Sequence, residues 1–187
     1  MKNEVPSMSQ IEVSYEETIP KIIDEIKKHE RAYIATSVND NVTVRQMMLN
    51  SKDLKLWFLT DVNTRKVKQI QTNPKVAIAI GNYLQIEGKA TVKSHPSDKE
   101  NFDFIQAFKE KDPEIYERSL RPGRTLARET SIVIEVVPKR IALTVWTPEW
   151  DKESKGPSMY ILNTDNEKAF QVFFRDFKGY TAEAYTE

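Results

Sequence analysis

The chain has no cysteine and few glycines and histidines, and each scarcity removes a class of function. Without cysteine there can be no disulfide, no thiolate metal site and no cysteine nucleophile. The five glycines lack the spacing of a dinucleotide-binding or phosphate-binding loop, and the Gly-x-Ser-x-Gly sequence of serine hydrolases does not occur. The two histidines, His29 and His95, are too few for a histidine-based metal site, so we expect no bound metal.

Long apolar runs and an excess of charge are also lacking. No run approaches the roughly 20 apolar residues of a membrane span, and residues 1–6 lack the apolar stretch of a signal peptide. We therefore expect a cytoplasmic protein that does not bind membranes. Lys plus Arg and Asp plus Glu number 28 each, so the formal net charge is zero. Since nucleic-acid binding depends on excess positive charge, we expect no nucleic-acid partner, although a local basic cluster could hold a small anion.

What the sequence does contain is an alternation of short β-rich runs and amphipathic helices within 187 residues, the size of one domain. Helical periodicity covers residues 14–30, 64–72 and 98–116, and Thr164 begins a capping pattern that predicts a last helix. The β-rich runs are residues 31–38, 42–50, 54–60, 75–80, 84–94 and 131–146. The first three leave no room for crossover helices, which favours antiparallel pairing. We predict a single α+β domain over residues 1–187: a closed barrel of about six strands within residues 15–146, then a loop and a C-terminal helix in 147–187.

The segment from Asp61 to Lys68 leaves a predicted strand and enters a predicted helix. Arg65, Lys66 and Lys68 place three cations in the first turns, where the helix dipole is already positive. A bound anion would remove the conflict, because backbone donors, the Thr64 hydroxyl and the Arg65 and Lys66 side chains could surround a phosphate. The alternative is that these cations are solvated at the surface.

Arg45 is the second unusual residue. By strand alternation it shares a face with Thr43, Met47 and Leu49, and a buried charge among such neighbours needs a partner. The alternative is an ordinary arginine at a strand edge or a structural salt bridge.

Several short sequences, in this order, resemble the FMN-binding split-barrel superfamily, which includes pyridoxamine 5'-phosphate oxidase and the general-stress flavoproteins. They are Ala35-Thr36, Val44 to Leu49, Trp57 to Thr60, Thr64 to Val67, Asn73 to Ile78 and Ile86 to Ala90. The resemblance covers about residues 15 to 145 and includes the helix that the anion argument singled out.

The resemblance implies a six-stranded antiparallel split barrel with Greek-key connections and peripheral helices, which forms a homodimer with FMN at the subunit interface. Arg45 would lie along the flavin and its phosphate, and the backbone at Met47 and Met48 would face the isoalloxazine ring. Leu59 and Thr60 would line the flavin site. The FMN phosphate would be held by Thr64, Arg65 and Lys66.

The chain also departs from the oxidases of this superfamily. Asn50 stands where they carry a lysine, and the Arg-x-His substrate motif is missing, since no histidine follows His95. These departures favour an FMN-dependent oxidoreductase of unknown substrate over a pyridoxamine phosphate oxidase, and no residue is assigned as catalytic. The alternative is a non-catalytic split barrel that binds or senses another ligand, such as haem or a deazaflavin, or holds none.

Overall fold

The structure, a computed structural model, describes residues 8–146 and 157–174. These residues form four α-helices around one ten-stranded sheet. The helices are α1 (Tyr15–Lys27), α2 (Arg65–Thr72), α3 (Phe102–Lys111) and α4 (Pro113–Ser119). The strands are β1 (Met8–Val13), β2 (Arg31–Val38), β3 (Asn41–Met48), β4 (Asn50–Lys52), β5 (Lys55–Asp61), β6 (Lys75–Ile80), β7 (Leu84–Val92), β8 (Ser131–Val145), β9 (Ser158–Asn163) and β10 (Lys168–Phe174). No helix in this described part is long and apolar enough to span a bilayer.

All strand pairs are antiparallel, and the order β1-β10-β9-β8-β7-β6-β2-β3 forms the main path of the sheet. Strand β8 is long enough to serve two neighbours on one edge, since its first half pairs with β5 and its second half with β9. Among the described strands β3 pairs only with β2, and β5 only with β4 and β8, so the sheet does not close. The prediction of a closed six-stranded barrel is therefore wrong in strand number and closure, while the antiparallel α+β architecture is confirmed.

The largest difference from the predicted fold lies after residue 157. The predicted C-terminal helix is a β-hairpin, in which residues 164–167 form the turn between β9 and β10. Thr164 does not cap a helix, because its hydroxyl donates to the Pro138 carbonyl at 2.7 Å, and Glu167 adopts a left-handed φ of +53°. Residues 147–156 of the predicted loop, and Phe177 of the predicted helix, lie outside the described residues.

The main core lies between one face of the sheet and helices α1 and α2. Helix α1 begins as predicted, with the Ser14 hydroxyl accepting from the Glu17 amide at 3.1 Å, and buries Ile22 and Ile26 completely. Helix α2 contributes Val67 and Ile70 to the same core. The core continues past residue 146, the limit expected from the sequence, because Leu162 and Ala169 are buried in it. A smaller core beneath α3 contains Trp57, Phe104, Ala107, Phe108, Leu126 and Val133.

Candidate anion and cofactor site

The turn from β5 into α2 is fixed by hydrogen bonds to Asp61. One carboxylate oxygen accepts from the Asn63 amide at 2.8 Å, and the other accepts from the Thr130 hydroxyl. The Val62 amide donates to the Thr130 carbonyl at 2.8 Å. The hydrogen bonds from Thr130 and then Asn63 lower the pKa of Asp61. The start of α2 is thus set by contacts to the segment that precedes β8.

The N-terminus of α2 presents unpaired donors. Thr64 is the N-cap and has extended backbone geometry, but its hydroxyl donates to the Asp61 carbonyl at 2.9 Å and caps no amide. Within residues 8–146 and 157–174, no acceptor is paired with the backbone N–H of Arg65 or Lys66. The first turn contains no acidic side chain. Free amides and a positive helix end together favour an anion at this position.

Lys66 leans back over the end of β5. Its ammonium group donates to the Thr60 hydroxyl at 2.9 Å, and the side chain is partly buried. Burial and, after it, the charge of Arg45 lower the pKa of Lys66, while Asp61 acts in the opposite direction. Thr60 therefore joins the site through Lys66.

Arg45 reaches the same place from the inward face of β3. Its guanidinium donates to the hydroxyls of Thr36, at 2.6 Å, and Thr43, and to the Ile34 carbonyl at 3.3 Å. Burial and then the charge of Arg65 lower the pKa of Arg45. The partners of Arg45 are neutral oxygens, so the predicted alternative of a structural salt bridge does not describe this arginine.

Gln69 holds this arrangement together, although no pattern in the sequence marked it as a functional residue. Its side-chain oxygen accepts from Thr36 at 2.7 Å and Thr43 at 3.0 Å, with the Arg45 guanidinium at 3.4 Å. Gln69 is only 2% exposed. The feature of the sequence that could have identified Gln69 is its position: it is a polar residue close to Val67 and Ile70, on the face of α2 that packs on the core.

Three cations therefore share the site: Arg45, Arg65 and Lys66. Burial is the larger cause of the lowered pKa of Arg45 and of Lys66, and repulsion adds to it: the charge of Arg65 acts on Arg45, and the charge of Arg45 acts on Lys66. In the described part of the chain none of the three is ion-paired, and the carboxylate that acts on Lys66, Asp61, is already bound by Thr130 and Asn63. An anion of more than one charge would relieve the repulsion and satisfy the free amides.

The other residues predicted for the flavin site contact the cation cluster less directly or not at all. Met47 faces inward beside Arg45 and packs on the main core. Met48 points to the opposite face of β3 and is exposed, so only its backbone could face a ligand on the inner side. Leu59 packs against the smaller core beneath α3, away from the face that carries Thr60. The structure therefore brings Arg45, Thr60, Arg65 and Lys66 together, with the Thr64 backbone, and leaves the side chains of Met48 and Leu59 outside the cluster.

Asn50 is buried at the start of β4. A lysine from another element lies beside this position. The side-chain ammonium of Lys111, at the end of α3, donates to the carbonyls of Leu49 and His29 at 2.7 Å each. Burial lowers the pKa of Lys111. Both carbonyls lie at the ends of elements, so this lysine fixes the junction between α1, β3 and β4.

Both histidines are engaged by neighbouring side chains. His29 Nε2 lies 3.1 Å from a Glu25 carboxylate oxygen, and His95 contacts the Ser97 hydroxyl at 2.7 Å and the Arg128 carbonyl at 3.2 Å. Neither ring is hydrogen-bonded to a residue of the cation cluster. The cation cluster is thus suited to binding a phosphate, and neither histidine contributes to it.

Comparisons with known proteins agree with this architecture. The sequence profile described as pyridoxamine 5'-phosphate oxidase matches residues 19–141. Among solved structures, a pyridoxamine 5'-phosphate oxidase-related, FMN-binding protein from Nostoc punctiforme PCC 73102 has a TM-score of 0.54 at 17% identity, covering 86% of this chain and 97% of that one. General stress protein 26 from Bacillus anthracis str. Sterne has a TM-score of 0.52 at 22% identity, covering 66% and 91%.

HutZ, the haem storage protein from Vibrio cholerae, has a TM-score of 0.52 at 14% identity, covering 64% of this chain and 88% of that one. No curated protein matches the sequence. At these identities the structural likeness shows a shared fold.

Proposed function

Because the chain belongs to the pyridoxamine 5'-phosphate oxidase family, we propose that it is an FMN-binding flavoprotein whose phosphate site is the N-terminus of α2. The observation that carries this proposal is the clustering of Arg45, Arg65 and Lys66 without an ion-paired carboxylate in the described residues. A phosphate monoester carries about two negative charges near pH 7, which matches an unpaired group of three cations.

The residues divide into two roles toward such a ligand. The backbone amides and side chains of Arg65 and Lys66 bind the phosphate. Arg45, held by Thr36 and Gln69, extends the positive surface onto β3, where we place the flavin against the backbone at Met47 and Met48. Bound FMN would supply the electron-transfer chemistry, whereas the protein supplies binding, orientation and electrostatics.

We extend the proposal to an oxidoreductase whose substrate differs from pyridoxamine 5'-phosphate. The support is the buried Asn50 in place of the lysine expected from the resemblance, together with the missing Arg-x-His motif. The extension is tested by assaying the FMN-loaded protein for oxidation of pyridoxamine 5'-phosphate. We expect no such activity.

We also propose that the protein is a homodimer that covers the outer face of β2, β3 and β6. Strand register places Tyr33, Val44 and Ala79 on this face, and Val42 and Val44 are 68% and 66% exposed. Ala35 and Ala77 lie between these residues in the register, and a groove of about 720 Å³ runs along the same face. A contiguous apolar surface of this kind marks an interaction site.

The flavin proposal is tested by titrating FMN and riboflavin into the purified protein and following flavin fluorescence. The Arg65→Ala variant should weaken FMN binding about tenfold or more, because a charge-assisted hydrogen bond contributes about 1.5–3 kcal/mol. Riboflavin, which lacks the phosphate, should bind the variant and the wild type alike.

Lys99→Ala serves as the matched control, since it removes an exposed cation outside the cluster and should leave both affinities unchanged. Equal losses for FMN and riboflavin in Arg65→Ala would contradict the phosphate assignment. If neither flavin binds while haem does, with a shifted absorption band, the protein is a haem-binding member of the fold.

A further inference from the structure

Four arginines lie within eleven residues of sequence, at the end of α4 and in the segment that follows it, and the flavin proposal uses none of them. They are Arg118, Arg121, Arg124 and Arg128, and all four are exposed. The same stretch, residues 117–129, contains only two carboxylates, Glu117 and Glu129. Within the described residues none of the four arginines is ion-paired. We call residues 118–128 the arginine loop.

The backbone of the arginine loop is well defined by its own contacts. Arg121-Pro122-Gly123-Arg124 is a turn in which the Arg124 amide donates to the Arg121 carbonyl at 3.0 Å, and Gly123 has a φ of +76°. This combination of proline and positive-φ glycine is typical of a type II turn. Leu126 is buried in the smaller core, and its amide donates to the Ser119 carbonyl at 3.0 Å. The backbone that carries Arg121 and Arg124 is therefore held by a hydrogen-bonded turn and by the burial of Leu126.

The arginine loop ends beside the turn that begins the α2 site. Ser131, three residues after Arg128, pairs with Asp61, and Thr130 binds the Asp61 carboxylate through its hydroxyl. Arg128 is near enough to Asp61 to favour the charged carboxylate. Arg128 thus lies near the turn that begins the α2 site, and its guanidinium also donates to the Gly123 carbonyl at 3.4 Å, which joins it to the turn that carries Arg121 and Arg124.

We propose that the arginine loop is a second anion subsite, which binds the diphosphate of a dinucleotide. Arginine suits this role because its planar guanidinium donates two parallel hydrogen bonds to phosphate oxygens. The inference rests on the proposed flavin site, since it assigns the loop to a ligand bound beside the α2 phosphate. Two molecules share the required chemistry: a flavin dinucleotide, whose diphosphate continues from the α2 site, and a nicotinamide dinucleotide that reduces the flavin.

The subsite is tested by calorimetric titration of inorganic pyrophosphate into FMN-saturated protein. An Arg124→Gln/Arg128→Gln variant should bind pyrophosphate at least about tenfold more weakly than the wild type, because it loses two charged donors. A Lys99→Gln/Lys109→Gln variant, which loses the same charge at exposed positions elsewhere, should retain wild-type affinity. Equal affinity in the loop variant, or no pyrophosphate binding by the wild type, would overturn the proposal.

A second pair of titrations identifies the source of the diphosphate. If it belongs to the flavin, FAD binds the wild type more tightly than FMN, and the loop variant removes that difference. If it belongs to the reductant, FAD and FMN bind alike, and the loop variant weakens NADPH binding to the FMN-saturated protein. If neither ligand responds to the loop variant, the subsite assignment is wrong.

FMN titrations distinguish failure of the flavin proposal from failure of the arginine-loop proposal. FMN affinity should be the same in the loop variant and the wild type, whereas Arg65→Ala should reduce it. If the wild type binds no FMN, the pyrophosphate titration is made with the protein alone, and a loss confined to the loop variant still supports the subsite. Thermal unfolding followed by circular dichroism confirms that each variant is folded, and Arg121→Gln replaces the double variant if it is not.

Discussion

At the scale of single residues, the main feature of the site is that neutral groups fix a charged one. Arg45 is held by two threonine hydroxyls, a carbonyl and the Gln69 amide oxygen. A carboxylate in the same place would neutralise the guanidinium and compete with any anionic ligand. Neutral acceptors orient the side chain and leave its full charge available, which is the arrangement that anion binding requires.

Replacing Gln69 with leucine should lower both stability and FMN affinity. The hydroxyls of Thr36 and Thr43 would lose a shared acceptor in a buried place, at a cost of about 1–3 kcal/mol in the free energy of unfolding. Urea unfolding measures this cost, and the FMN titration measures the loss of orientation at Arg45. Gln71→Leu, at an exposed position near the end of α2, should change neither quantity appreciably. Equal effects of the two substitutions would contradict the role given to Gln69.

The residue scale also shows what the sequence could and could not predict. Arg45 could be selected because strand alternation placed a charge among inward-facing residues, and Lys66 because cations conflict with a helix N-terminus. Both signals are local. Gln69 could not be selected, because its importance depends on β2, β3 and α2 meeting in space. The Thr64 hydroxyl, expected to face a ligand, instead donates to Asp61, a choice that depends on the geometry of the turn.

At the scale of elements, the connection from β7 to α3 depends on one exposed carboxylate. Glu100 accepts from the Ser94 amide at 3.0 Å and lies 3.0 Å from the Lys93 ammonium. The hydrogen bonds from Ser94 and then Lys93 lower the pKa of Glu100 to about 2. The pKa of a glutamate in an unfolded chain is about 4.3. The contribution of the Glu100 carboxylate to the free energy of unfolding is therefore complete above about pH 4.3 and disappears as the pH falls toward 2.

The Glu100→Gln variant should be less stable than the wild type at pH 7 and should lose less stability on acidification between about pH 4 and 2. The two proteins should converge below pH 2, where Glu100 is protonated in both states. Urea midpoints measured across this range test the expectation. Glu110→Gln, at an exposed position of α3, should leave the acid profile unchanged. Parallel profiles for wild type and Glu100→Gln would rule out the assigned role.

Elements with strong local signals were predicted well, and those that depend on distant partners were not. The helix predicted from residue 14 is confirmed, and it begins with a capping pattern in which the Ser14 hydroxyl accepts from the Glu17 amide. The same kind of capping pattern at Thr164 misled, because threonine, aspartate and asparagine favour tight turns as well as helix starts. Residues 168–174 form a strand because they pair with β9 on one side and β1 on the other. Neither pairing can be recognised from the local sequence.

At the scale of the whole molecule, the exposed apolar face of β2, β3 and β6 predicts self-association. The wild type should have a mass of twice 21.7 kDa by size-exclusion chromatography with light scattering. A Val42→Glu/Val44→Glu variant should be monomeric, because burying two unpaired carboxylates costs more than the apolar contact contributes. Ile11→Glu, which adds a charge at an exposed apolar position of β1, should remain a dimer. A monomeric wild type would contradict the proposal.

The pairing of β1 with β10 has a consequence for how the chain assembles. Val13 lies opposite Ala169, so closing this contact brings together segments separated by about 155 residues. During synthesis β1 has no partner until residues 168–174 have emerged, whereas the hairpins from β2 to β7 can form earlier from neighbouring residues. Of the described strands, the one nearest the N-terminus is therefore among the last to be ordered. Until then its edge groups stay available to other chains.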